Sequence, residues 1–242
     1  MTAPATYERQ GNIARITLDD GKLNVMSSSM IAAVNAALDQ AETDGVAVVL
    51  AARGKVFSAG FDLKVFRDGN ARQIYDMRRS GAEMVLRIYG FPRPVVAACH
   101  ATAFPMGAFP VLACDFRYGV TGDHRIGMNE TAIGLVLPRW NIELTRTRLN
   151  PAYFNRAMMT GEMFTHEEAL AAGFFDRVVE PDDLDTSAME TAQKLAGYDA
   201  EVFAATKRNV RGAFLEQARQ MVEEDITLAA AEERVARRDA AR

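Results

Sequence analysis

The chain has 242 residues, 49% of them hydrophobic and 25% charged, with a formal net charge of −4. Such a composition fits a globular protein with one large core or two small ones, and it excludes a disordered chain. The acidic balance argues against a nucleic-acid partner, since neutralising phosphates needs concentrated Lys and Arg.

Along the chain, IARITL (13–18) alternates apolar and polar residues and ends at DDGK, which predicts a strand closed by a turn. Met30, Val34, Ala37, Leu38 and Ala41 then recur at helical spacing behind the cap candidates at 27–29. VAVVLAA (46–52) is a continuous apolar run, as in a strand covered on both faces. RGKVFSAGFDLK (53–64) leaves it as a glycine-containing loop, 71–89 reads as a helix stopped by FPRP, and PVVAACHA (94–101) as a buried strand. Pro105, Met106 and Gly107 break the chain ahead of an apolar stretch and a strand at 116–120. Strand, helix and strand repeat, so the fold class is α/β.

Later segments are mostly helical: IELTRTRL (142–149), AYFNRAMMTG (152–161) and THEEALAAG (165–173), the last with a Thr165–Glu168 capping box and a Gly173 C-cap. FDRVVE (175–180) returns as a short strand. Beyond Ala188 the pattern is amphipathic helix, anchored by Phe203, Val210, Phe214, Leu215, Met221, Val222 and Leu228, for packing on its own core or on a neighbouring subunit. Two basic groups in this region, KRNVR (207–211) and RVARR (234–238), have acidic residues beside them and read as solvated helix faces.

Cys99 and Cys114 have no C-x-x-C spacing, so neither a zinc site nor a disulfide framework is indicated and a reducing cytoplasm fits. MTAPATYERQGN lacks the pattern of a signal peptide, and no run approaches the ~18 apolar residues of a membrane span. The expectation is a cytoplasmic protein with no membrane partner. No G-x-S-x-G is present, His100, His124 and His166 have no triad context, and His124 in TGDHR reads as a turn residue. Gly54 and Gly60 are wrongly spaced for a phosphate loop or a dinucleotide fingerprint.

What remains is two glycine-bearing loops, FSAGFDLK (57–64) and AFPMGAFP (103–110), and one isolated carboxylate. Glu130 is the only ionisable side chain in IGMNETAIGLVLP (126–138). Two readings stay open on the residues alone. Glu130 can be a first-turn carboxylate behind an Asn129 N-cap. It can also be buried, with a raised pKa, beside two backbone N–H groups that hold an oxyanion, a set able to deprotonate next to a thioester carbonyl.

FSAGFDLK resembles the F-x-A-G-x-D-(I/L) loop of the crotonase (enoyl-CoA hydratase/isomerase) superfamily. HATAFPMGAFPVLACDFRYG (100–119) resembles its second oxyanion segment, MNETAIGLVLPRW (128–140) its catalytic-glutamate segment, and MTGEMFTHEEALAAGFFDRVV (159–179) its downstream segment. The likeness covers most of the chain, and NETAIGLVLPRW is most similar to the 3,2-trans-enoyl-CoA isomerases. It implies a crotonase-like spiral of ββα units over 1–195, holding the CoA and catalytic site, and a helical trimerisation region over 196–242, in a homotrimer or hexamer.

Carried over residue by residue, the resemblance puts the oxyanion N–H groups on Phe61 and Met106. Met106 stands where the family has a glycine, in a turn that reads Pro-Met-Gly, which restricts φ. Hydratases use two glutamates; here the first position holds Phe109 and the second Glu130. The implied reaction is therefore isomerisation of 3-enoyl-CoA to 2-trans-enoyl-CoA by one base, with the CoA thioester as substrate, no cofactor and no metal. Ala59, Gly60, Asp62, Leu63 and Lys64 are implied to line the CoA channel, with Val25 nearby and Lys64 a candidate phosphate contact. Trp140 walls the acyl pocket, Asn129 orients the substrate or caps a helix, Gly107 lies at the oxyanion turn, and Phe61, Phe104 and Phe109 narrow the pocket. The alternatives are another crotonase reaction (hydratase, acyl-CoA hydrolase or decarboxylase) and a non-catalytic acyl-CoA-binding homologue.

Overall fold

The computed structural model describes residues 3–241. Met1 and Thr2, at the head of the segment read for a leader, and Arg242, last of the C-terminal region, lie outside that range. In chain order the first half contains β1 (Ala5–Gln10), β2 (Ile13–Leu18), α1 (Ser28–Asp44), β3 (Ala47–Ala52), α2 (Leu63–Asp68), α3 (Ala71–Gly90), β4 (Val95–Ala98), α4 (Pro105–Ala113) and β5 (Phe116–Val120). The second half contains β6 (Arg125–Gly127), α5 (Arg139–Arg146), α6 (Pro151–Met159), β7 (Met163–Thr165), α7 (His166–Ala172), β8 (Arg177–Val179), α8 (Leu184–Ala196), α9 (Ala200–Asp225) and α10 (Leu228–Ala240).

The large sheet runs β1-β2-β3-β4-β5-β8, antiparallel only at β1-β2. β3 is buried along its whole length, as its apolar run predicts. Val48 and Leu50 join the main core, while Val49 and Ala51 pack with Leu184, Ala188 and Ala192 of α8 on the other face. A parallel sheet survives only when both faces are covered in this way. Beyond it the chain adds a second, shorter tier: Ser58 pairs with Ala103, Ala103 with Ile126, and β6 with β7. Successive turns of chain give one strand to the large sheet and one short piece to this tier. That is the ββα spiral of a crotonase fold, as expected.

Helix ends follow their chemistry. Ser27 Oγ accepts the Met30 N–H at 3.2 Å, and Gly45, at φ 65°, closes α1 in the left-handed region. Asn70 and Gln73 form a reciprocal capping box at the start of α3, whose buried Ile74, Met77, Gly81, Val85 and Ile88 repeat at three and four residues. Thr165, Glu168 and Gly173 cap α7 as the sequence indicates.

Several expectations need correction. β1 and α2 were not foreseen, and Pro105 and Met106 begin α4 rather than break the chain, Pro105 standing at the first helical position where its missing N–H costs nothing. Val210 and Leu228 are exposed and anchor no core, whereas Leu215 and Val222 are buried. KRNVR is not a solvated face either. α9 packs along α3 and α5, which turns Lys207 and Arg211 inward to 7% and 8% exposure. Lys207 Nζ donates to Asp115 Oδ2 at 2.6 Å and Phe91 O at 2.8 Å, while Arg211 Nη1 donates to Tyr89 O at 2.8 Å and forms an ion pair with Asp115 Oδ1 at 2.9 Å. The carbonyls at the end of α3 and one carboxylate supply what buried cations require.

Candidate active site

The two glycine-bearing loops are laced together by backbone. Phe57 N–H donates to Thr102 O, Phe104 N–H to Ser58 O, Ala59 N–H to Leu23 O and Met26 N–H to Gly60 O, all at 2.8–2.9 Å. Ser58 sits fully buried between them, its Oγ donating to Asn24 O at 2.6 Å and accepting the Gly60 N–H at 3.2 Å. Gly60 has φ +83°, and a Cβ there would lie 3.5 Å from the Met106 backbone nitrogen; a Cβ on Gly107 would meet Ser58 Cβ at 2.5 Å. Gly60 is needed for its left-handed backbone, and Gly107 for the loops to approach this closely. Met106 itself needs no such freedom. Asn24 is the only non-glycine with positive φ among the described residues, so the Pro-Met-Gly sequence is accommodated as a helix start.

The consequence is a pair of unclaimed donors. Gly60 N–H is taken by Ser58, and Gly107 and Ala108 N–H donate to Phe104 O, but no protein acceptor meets Phe61 N–H or Met106 N–H among the described residues. α4 also lacks a side-chain N-cap, so Met106 N–H, in the cavity lining, is left as its one unclaimed first-turn donor.

Glu130 lines the same cavity as these loops. β6 ends at Gly127, and after two residues the chain turns through a 3-10 helix at Thr131–Ile133 that Glu130 precedes in αR conformation. Leu135 N–H donates back to Glu130 O at 2.8 Å, and Gly134 closes the turn at φ 74°. The Glu130 side chain makes no capping bond and Asn129 is not an N-cap, so the cap reading is overturned. Glu130 Oε2 is buried without a hydrogen-bond partner. Burial, with no cation to offset it, pushes the carboxyl up to about 7.

A cavity of about 630 Å³ joins these elements. Of the residues named from sequence, Ala59, Gly60, Phe61, Leu63, Met106, Phe109, Asn129, Glu130 and Trp140 line it, together with Phe104. Phe109, 1% exposed, packs its ring 5.6 Å from that of Trp140, so the position of the hydratase carboxylate is occupied by hydrocarbon. Val25, Asp62, Lys64 and Gly107 are not in the wall. The Asp62 carboxylate accepts the Lys64 N–H at 2.9 Å as the cap of α2, Lys64 is exposed, and Gly107 packs on Ser58.

The cations in the wall are instead Arg78 of α3 and Arg234 and Arg237 of α10. RVARR is therefore no simple solvated face. α10 folds back onto α3, and the three- and four-residue spacing of its arginines puts them toward the site. That spacing was the available signal; Arg78 gave none. The histidines stay out of the wall, and His166, buried with its Nδ1 3.1 Å from Val120 N, is pushed down to about 4 by desolvation and His124. Burial also pushes both thiols up. No helix among the described residues is long and apolar enough to cross a membrane.

A spiral of ββα units that aims two unclaimed N–H groups and a raised carboxyl into one cavity defines a crotonase-fold acyl-CoA enzyme. The chain matches the family described as enoyl-CoA hydratase/isomerase over residues 8–239, and it belongs to that family. A carnitinyl-CoA dehydratase of Salmonella arizonae is 34% identical over 87% of this chain and 81% of its own. An enoyl-CoA isomerase structure from Mycobacterium tuberculosis is similar at 37% identity and TM-score 0.88, covering 95% of this chain and 99% of that one. A second structure of that same mycobacterial protein, described as a probable enoyl-CoA hydratase, is similar at 37% identity and TM-score 0.90, covering 99% of this chain and 100% of that one.

Proposed function

We propose that the protein isomerises 3-enoyl-CoA to 2-trans-enoyl-CoA by carrying one proton from C2 to C4. The observation that supports this most is a contrast within one cavity: Glu130 is desolvated and raised to about 7, and the ring of Phe109 can neither accept nor deliver a proton. The thioester oxygen accepts hydrogen bonds from Phe61 N–H and Met106 N–H. Glu130 removes the C2 proton, the electron pair spreads into a dienolate held by those donors, and the protonated Glu130 returns the proton at C4. The double bond moves from C3–C4 to C2–C3. The transfer is internal to the substrate, so its stoichiometry calls for no redox cofactor or metal. A carboxyl near neutrality suits both halves of the transfer, and each oxyanion donor contributes about 100- to 1,000-fold in comparable acyl chemistry.

Hydration or dehydration is the second reading, favoured by the name of the Salmonella relative and by one of the two descriptions of the mycobacterial protein, and opposed by Phe109, which leaves no second carboxylate to activate water. A carnitinyl substrate, which carries a quaternary ammonium, would also meet Arg78, Arg234 and Arg237 in the cavity wall. Assembly as a homotrimer or hexamer through residues 196–242, in the cytoplasm, belongs to the same proposal. Val202 and Val210 of α9, 63% and 75% exposed, support an assembly surface there.

The direct test follows the conjugated product from 3-hexenoyl-CoA. The wild-type protein is expected to form 2-hexenoyl-CoA without releasing CoA, and Glu130→Ala to lose about 1,000-fold in kcat/KM. Unchanged activity in Glu130→Ala would overturn the mechanism.

A further inference from the structure

We propose that Arg78 and Arg234 bind a carboxylate carried by the acyl group, so that the site takes the mono-CoA thioester of a dicarboxylic acid. The inference rests on the acyl-CoA reading above and names its substrate class.

Both arginines line the cavity that holds Glu130. Their neighbours are already matched: Arg237 pairs with Glu233 at 2.6 Å, and Arg238 pairs with Asp239 at 2.9 Å and donates to Gly69 O at 2.7 Å. Arg78 and Arg234 have no ion pair among the described residues. Asp225 is the carboxylate that acts on Arg78, and it is engaged by Arg139, through the backbone N–H at 2.7 Å and Nε at 2.8 Å. Arg234 rests on the Phe66 ring at 5.0 Å, a contact that leaves its five N–H donors unmatched by an anion. Desolvation and the charge of Arg234 both act against the charged form of Arg78. Two guanidinium groups sharing a partly desolvated wall are stabilised by an anion placed between them.

Position separates an acyl carboxylate from the phosphates of CoA. Arg78 is three residues, roughly one turn, before Gly81 on α3. Gly81 is pressed so closely on the oxyanion loops that a Cβ there would meet Phe61 Cε1 at 2.8 Å and Met106 Cε at 3.0 Å. Arg234 is two ring contacts from the same place, 5.0 Å to Phe66 and from there 6.0 Å to the Phe61 ring. The first CoA phosphate lies beyond the pantetheine arm, about 15 Å from the thioester if its two-amide chain counts as roughly four extended residues. A carboxylate at the end of a short acyl chain lies nearer, within reach of both arginines.

The test is calorimetric binding of two saturated thioesters that cannot isomerise, adipoyl-CoA and hexanoyl-CoA, to the full-length protein. Wild type is expected to bind adipoyl-CoA about 10- to 100-fold more tightly, the range that charge-assisted hydrogen bonds supply. Arg78→Met and, separately, Arg234→Gln are expected to lower that ratio toward one, with Arg78→Lys retaining part of it. The preference is also expected between adipoyl-pantetheine and hexanoyl-pantetheine, which carry no phosphate. Equal wild-type affinity for the two CoA thioesters overturns the proposal. So does a loss in Arg78→Met that is equal for both CoA thioesters and absent with the pantetheine thioesters, since the arginine would then hold a CoA phosphate. Because neither ligand turns over, failure of the isomerase assay leaves this result standing, whereas binding of neither thioester defeats the acyl-CoA reading and this proposal together.

Discussion

Asp115 and Glu130 are both carboxylates withdrawn from water, and they are built in opposite ways. Asp115, 11% exposed, accepts from Lys207 Nζ at 2.6 Å and Val95 N–H at 2.8 Å and forms an ion pair with Arg211 Nη1 at 2.9 Å. Glu130 has no cation beside it and one oxygen with no partner at all. The first arrangement spends its charge on architecture, tying α9 to the corner between α3 and β4. The second leaves a proton loosely committed, which is what a group that must take and return one requires. Burial alone does not mark a carboxylate as a candidate for proton transfer; burial without a cation to hold its charge does.

The comparison breaks most visibly at Asp115. Asp115→Ala strands two buried cations and is expected to cost about 3–5 kcal/mol in a urea titration. A loss below about 1 kcal/mol, the value of a surface ion pair, would place Asp115 with the exposed pairs instead.

Glu130→Gln is expected to act with the opposite sign. The folded state raises this carboxyl from 4.5 to about 7, so it prefers the neutral form. The stability this preference contributes is complete below the unfolded pKa and is lost as pH rises through 7. A glutamine cannot ionise and keeps it. The variant should therefore match wild type in acid and exceed it by up to about 3 kcal/mol above pH 8, measured by thermal unfolding at both pH values. Lower stability than wild type above pH 8 would mean that Glu130 has a partner.

The smallest effect tests the other wall. Phe109→Glu places a second carboxylate in the Glu130 cavity, and like charge is expected to raise the acid limb of isomerisation by about one pH unit, equivalent to about 1.4 kcal/mol. Hydration of 2-hexenoyl-CoA by this variant, measured beside isomerisation, would sharpen the claim that Phe109 is what silences it.

Local order was largely legible before the structure. The apolar run of β3 and the capping box of α7 are statements about neighbours in the chain, and both elements stand within a residue or two of the reading. The two glycine-bearing loops and Glu130, which line one cavity, were singled out through family resemblance, because short motifs carry backbone geometry. What was not legible joins distant residues. Lys207 and Arg211 look solvated on a helical wheel, and their partner Asp115 is 92 residues from Lys207. Arg234 faces the cavity only because α10 returns to α3. Nor did sequence choose between Glu130 as a cap and as a buried acid, since that depends on whether Asn129 begins a helix, and it does not.

The central claim is that one carboxyl, raised by burial, performs both proton transfers. Its most direct test is kcat/KM for 3-hexenoyl-CoA from about pH 5 to about pH 9, which reports the titrating groups of the free enzyme. The account predicts a single rise of unit slope through about pH 7 and a plateau above it. A bell-shaped profile, demanding a second acid, or a profile with no limb near 7 would contradict it.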